Sequence, residues 1–102
     1  MKSLEDFRRQ IDQVDAELLA ALGKRLAICA DVAHFKRAHG IAMMQPARVT
    51  AVKDRVAALA SEHGLRSDFL RDLYGAIIAE ACRLEDDIID GPSRSADQHA
   101  TR

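Results

Sequence analysis

Four basic residues stand at separations that helical geometry can turn into a site. Lys36 follows Arg25 by eleven residues, Arg48 follows Lys36 by twelve, and Arg8 precedes Arg25 by seventeen. Eleven residues along an α-helix bring two side chains to within about 20° of each other around the axis and about 16 Å apart along it, so the heads of Arg25 and Lys36 can converge on a ligand between them. Seventeen residues put Arg8 about 100° off that line and about 25 Å away, out of reach of Arg25 in its own chain but within reach of an antiparallel partner's. Arg48, two residues after Pro46, reads as part of a helical first turn, where a cation opposes the helix dipole and an arriving anion is favoured. Together, on one helix, Arg8, Arg25 and Lys36 favour an anion site. The competing reading pairs Arg25 with a neighbouring acid and leaves Lys36 and Arg8 solvated.

The element that must carry these residues is the segment 4–39, which contains no proline and one glycine, Gly23. Its apolar residues recur at alternating spacings of three and four, which predicts one long helix. One seam runs Leu4, Phe7, Ile11, Val14, Leu18, Ala21, Arg25, Ile28, Val32 and Phe35, with Arg25 its only charge. A guanidinium in an apolar seam is costly unless an anion meets it. A helix of this length spans roughly 54 Å, whereas a compact domain of 100 residues has a radius of gyration of about 13 Å. One chain cannot cover such a helix, and the seam predicts an intertwined homodimer.

The rest of the chain reads as two further helices. Gly40 can stop the first helix and Pro46 suits the first turn of the second, which is expected from Pro46 to His63 with an apolar stripe of Val49, Val52, Val56 and Leu59. Gly64 ends it. Ser67 is the expected N-cap of a third helix carrying Phe69, Leu70, Leu73, Ile77, Ala81, Leu84 and Ile88 at helical spacing. Residues 91–102 turn polar with glycine and proline and read as a disordered tail behind a single domain, 1–90. The fold class is all-α, three helices in long, short, long order.

Composition narrows the function. At 102 residues the chain is one domain, and its net charge of −1 gives no reason to expect nucleic acid or an anionic membrane as partner. It has no apolar run of about eighteen residues, and MKSLEDFRRQ lacks a signal peptide's apolar core, so the cytoplasm is the expected location. Cys29 and Cys82 lack CxxC spacing and read as buried thiols. His34, His39, His63 and His99 show no HxxxH spacing, so no metal is expected. The absence of a glycine-rich phosphate loop and of GxSxG leaves cofactor and serine-nucleophile chemistry without support.

Taken together, FRRQIDQVDAELLAALGKR and the spacing of Arg25, Lys36 and Arg48 resemble the all-helical chorismate mutases, over about Leu4 to Ile89. The resemblance implies an intertwined homodimer that rearranges a dicarboxylate ring substrate without a cofactor. By residue, it implies that Arg25, Lys36 and Arg48 are the family's cations from one chain and Arg8 the arginine from the other. The departures are as informative. Where these enzymes carry an acid before the second helix and a glutamate after its arginine, this chain has Gln45 and Val49; Ala81 replaces a serine, and Glu85 replaces the glutamine that donates to the ether oxygen. Some chorismate mutases do have glutamate there. To donate, Glu85 must carry a proton, which demands burial.

The stretches GIAMMQPARV leading into VKDR, and EACRLEDDI, look like the 4-amino-4-deoxychorismate mutases of p-aminophenylalanine pathways, which feed aryl-amine antibiotics. That implies 4-amino-4-deoxychorismate as substrate and Lys36, Glu85 and Arg25 as the residues of the reaction, with Arg8, Gln45, Arg48, Val49 and Ala81 around the substrate. Ordinary chorismate mutase remains an alternative, as does isochorismate pyruvate lyase, which shares the valine after the second-helix arginine. Outside enzymes, the alternative is a non-catalytic helical dimer that binds a partner enzyme.

Overall fold

The computed structural model describes residues 1–42 and 45–90, and these form three α-helices: α1 (Leu4–His39), α2 (Pro46–Leu59) and α3 (Ser67–Asp90). Met43, Met44 and the segment 91–102 expected to be a disordered tail lie outside the described residues.

Helix α1 starts at a reciprocal capping box, in which the Asp6 amide donates to Ser3 Oγ and the Ser3 amide donates to the Asp6 carboxylate. Acids in the first turn, Glu5 and Asp6, and bases in the last, Lys36, Arg37 and His39, both complement the dipole. Gly40 terminates it at φ 65°, a left-handed conformation that glycine adopts without a Cβ clash. Helix α2 begins with Pro46 in its first turn and ends four residues earlier than its hydrophobic pattern predicts. Ala60–His63 tighten into a turn of 3-10 helix before Gly64, at φ 70°, closes it. Ser67 is the first helical residue of α3 and not its cap: the Leu70 amide donates to the Arg66 carbonyl, which places the cap at Arg66.

Among the described residues α1 and α2 each pack against α3 and not against one another. Small side chains permit the close approaches, with Ala33, Val52 and Ala81 buried, and Val56, Ala60 and Leu70 forming a second cluster beside Tyr74. The radius of gyration is 18.0 Å, well above the ~13 Å of a compact domain this size. In the N-terminal half of α1, Leu4, Phe7, Ile11, Val14 and Leu18 are all roughly half exposed or more, and among the described residues no other element covers them.

Candidate active site

A cavity of about 320 Å³ opens between α1 and α2, with α3 as its floor. Each helix contributes one face, at the spacings of three and four that keep side chains on one side. Arg25, Ile28, Cys29, Val32 and Lys36 come from α1. Gln45, Arg48, Val49, Val52 and Arg55 come from α2 and its N-cap, and Ile78, Ala81, Cys82 and Glu85 from α3.

Two contacts set the direction of the helices across the site. Lys36 Nζ lies 3.4 Å from Glu85 Oε1, and the Arg25 guanidinium lies 5.6 Å from the centroid of the Tyr74 ring. Both contacts match residues eleven apart on α1 with residues eleven apart on α3, so these helices run parallel. Helix α2 returns the other way. Lys36, Glu85, Gln45 and Arg48 therefore mark one end of the cavity and Arg25 the other, with Arg55 about 10 Å down α2 from Arg48, toward the Arg25 end.

Seven of the eight residues expected from the sequence line this one cavity: Arg25, Lys36, Gln45, Arg48, Val49, Ala81 and Glu85. Arg8 does not. It is exposed on the uncovered half of α1, where its guanidinium donates to Glu5 at 2.9 Å. The acid partner envisaged for Arg25 is likewise absent: among the described residues no carboxylate pairs with Arg25, Arg48 or Arg55. Arg25 instead lies against Tyr74 and donates weakly to Cys29 Sγ at 3.9 Å.

Glu85 is 8% exposed and is the one buried charged residue among those described, with Lys36 donating to it. The Lys36 contact shows its carboxylate accepting. Ala81 is buried and Val49 half-buried, so neither offers a hydrogen bond to a ligand from its side chain. At the N-cap of α2 the Gln45 carbonyl accepts from the Arg48 and Val49 amides, and its side chain makes no capping bond. No acid occupies the first turn of α2, which leaves the positive end of that helix uncompensated by its own residues.

Arg55, Cys29 and Cys82 are among the cavity residues that the sequence reading did not place in the site. Arg55 was legible in principle, because seven residues after Arg48 is two helical turns and the same face. Cys29 and Cys82 are half-buried in the cavity wall, rather than in a core. Burial pushes the Cys82 thiol above the ordinary cysteine range, and the charges of Glu85 and Asp86 add to this, with Lys36 acting against them. Among the described residues no cluster of histidine, cysteine or acids could hold a metal ion, and no helix is long and apolar enough to cross a membrane.

Four cations facing one carboxylate make the cavity a receptor for a compact polyanion, with fixed donors to oppose negative charge that grows during a reaction. The comparisons with known proteins agree with that chemistry. The chain is 42% identical to the 4-amino-4-deoxychorismate mutase of Streptomyces venezuelae, over 92% of this chain and 91% of that protein. It is 45% identical to the 4-amino-4-deoxychorismate mutase of Streptomyces pristinaespiralis, over 84% of this chain and 67% of that protein. Isochorismate pyruvate lyase of Pseudomonas aeruginosa is 35% identical over 74% of this chain and 73% of its own length. No solved structure matches. Residues 7–86 match the family described as chorismate mutase type II, and by this match and these relatives the chain belongs to the chorismate mutase type II family.

Proposed function

We propose that the protein is a cofactor-independent mutase that rearranges 4-amino-4-deoxychorismate to 4-amino-4-deoxyprephenate, and that it works as an intertwined homodimer. The observation that carries this reading is the convergence of Arg25, Lys36 and Arg48 on one cavity, together with the two relatives named for that activity. In the rearrangement the ether carbon–oxygen bond breaks as a carbon–carbon bond forms, and no proton or group leaves the molecule. The protein's task is to hold the enolpyruvyl side chain folded over the ring. Arg25 and Arg48 bind the two carboxylates, and Arg8 of the second chain completes the set. Orientation of this kind supplies several kcal/mol, up to ~7 to 11 in favourable intramolecular cases.

Lys36 and Glu85 flank the ether oxygen, where negative charge grows as the bond lengthens. A fixed ammonium there favours the transition state over the ground state. The Glu85 carboxylate accepts from Lys36 and holds its ammonium in place. Gln45, Val49 and Ala81 surround the ring substituent. The exposed seam of Leu4, Phe7, Ile11, Val14 and Leu18 supports the dimer, since a second copy of α1 would cover it and carry Arg8 toward the first chain's cavity.

The test is turnover of the purified protein with 4-amino-4-deoxychorismate, chorismate and isochorismate side by side, with products identified by mass and absorbance. Preference for the amino substrate is the expected result. Preference for chorismate would make Gln45 and Val49 tolerated variation. Pyruvate release from isochorismate would favour a lyase, which the valine at position 49 and the Pseudomonas aeruginosa relative make the second reading.

A further inference from the structure

We propose that Arg55 is a substrate-binding residue of this cavity, a further cation that acts with Arg25 on the carboxylate at the end away from Lys36. The inference rests on the proposed reading of the cavity as a dicarboxylate site. Its basis is that Arg55 lines the cavity and has no acid three or four residues away to pair with. Outside the cavity, Arg8, Arg9 and Arg83 pair with acids three or four residues away, whereas exposed Arg37 has no acid at those positions and forms no ion pair among the described residues. Arg25, Arg48 and Arg55 have no acid at those positions. All three line the cavity, and among the described residues none pairs with a carboxylate.

Arg55 is notable because an acid stands next to it. Asp54 is directed around the helix, by about 100°, and is bound to Arg71 at 2.9 Å. The α2 face that carries Arg55 otherwise bears Arg48, Val49 and Val52, and Arg55 itself is exposed where it lines the cavity. Like charges gathered in one cavity repel, and the arrangement is relieved when an anion enters. With Arg25, Lys36 and Arg48 opposed only by Glu85, Arg55 brings the surplus to three positive charges, which a bound dicarboxylate lowers to one. The position of Arg55, two turns along α2 from Arg48, puts it nearer the Arg25 end, where α1 supplies a single cation.

The experiment compares wild type, Arg55→Ala, Arg55→Lys and Arg55→Gln in two readouts: kcat and KM with whichever of the three substrates the wild type turns over, and calorimetric binding of prephenate, a dicarboxylate of matching size. Arg55→Ala is expected to raise KM and weaken prephenate binding about tenfold with a smaller change in kcat, the loss of one charge-assisted contact at a partly solvated site. Arg55→Lys is expected to recover part of the affinity, because it keeps the charge and loses the planar fork. Prephenate affinity within twofold of wild type in both Arg55→Ala and Arg55→Gln would overturn the inference whatever the turnover. If wild type turns over none of the substrates while Arg55→Ala still loses prephenate affinity, the mutase reading fails and the role of Arg55 in anion binding stands.

Discussion

Replacing Arg25 by alanine should separate activity from stability. The guanidinium is half-buried, makes a cation–π contact with Tyr74 at 5.6 Å and a weak bond to Cys29, and pairs with no described acid. Its truncation removes a contact of about 0.5–1 kcal/mol and leaves no buried carboxylate behind. Folding stability is therefore expected to fall by about 1 kcal/mol, some 4–8 °C in melting temperature for a domain of this size. The transition state loses much more, because a donor aimed at a carboxylate inside a cavity is worth about 3 kcal/mol or more, or 10²–10³-fold in rate. The assay is kcat/KM with the preferred substrate beside a thermal melt followed by circular dichroism. A loss of tenfold or less in an intact fold would refute the assignment of Arg25 to the substrate. A melting temperature lowered far beyond this range would show that Arg25 is a structural residue and that the electrostatic reading of the seam is wrong.

Mixing Arg8→Ala with Arg25→Ala protein tests the shared site: each variant alone should be nearly inactive, and random hybrids regain about a quarter of wild-type turnover, since half the dimers are hybrids with one intact site. No recovery after subunit exchange would remove Arg8 from the partner's cavity. Because burial and then the charges of Glu85 and Asp86 raise the Cys82 thiol, its thiolate forms only at higher pH than in a free cysteine. Iodoacetamide labelling of Cys82, read by mass spectrometry, should accordingly rise at higher pH than for a free thiol, and Glu85→Gln should move the profile back down. A Cys82 profile that coincides with the free thiol's would contradict the geometry of the cavity wall.

The three helices were legible because each is a local object. Hydrophobic periodicity, Ser3 with Asp6, and Gly40 and Gly64 at left-handed turns fix where helices run and stop without reference to the rest of the chain. The same local geometry put Arg25 and Lys36 on one face, and a resemblance of residue spacing brought in Gln45, Arg48, Val49, Ala81 and Glu85, all of which line the cavity. The boundaries read less well. The 3-10 turn at Ala60–His63 and the cap at Arg66 depend on how the chain turns to set α3 against α2.

What only the tertiary structure decided is which faces meet. Lys36 and Glu85 are forty-nine residues apart, and no periodicity within either helix brings them to 3.4 Å. That Arg25 rests on Tyr74 instead of an acid, that Cys29 and Cys82 belong to the cavity wall, and that Arg55 lines the site are likewise outcomes of docking α1 and α2 each against α3. The reason is physical: a helix sets the angle between its own side chains at about 100° per residue, but its rotation against a neighbour is set by packing side chains such as Ala33, Val52 and Ala81.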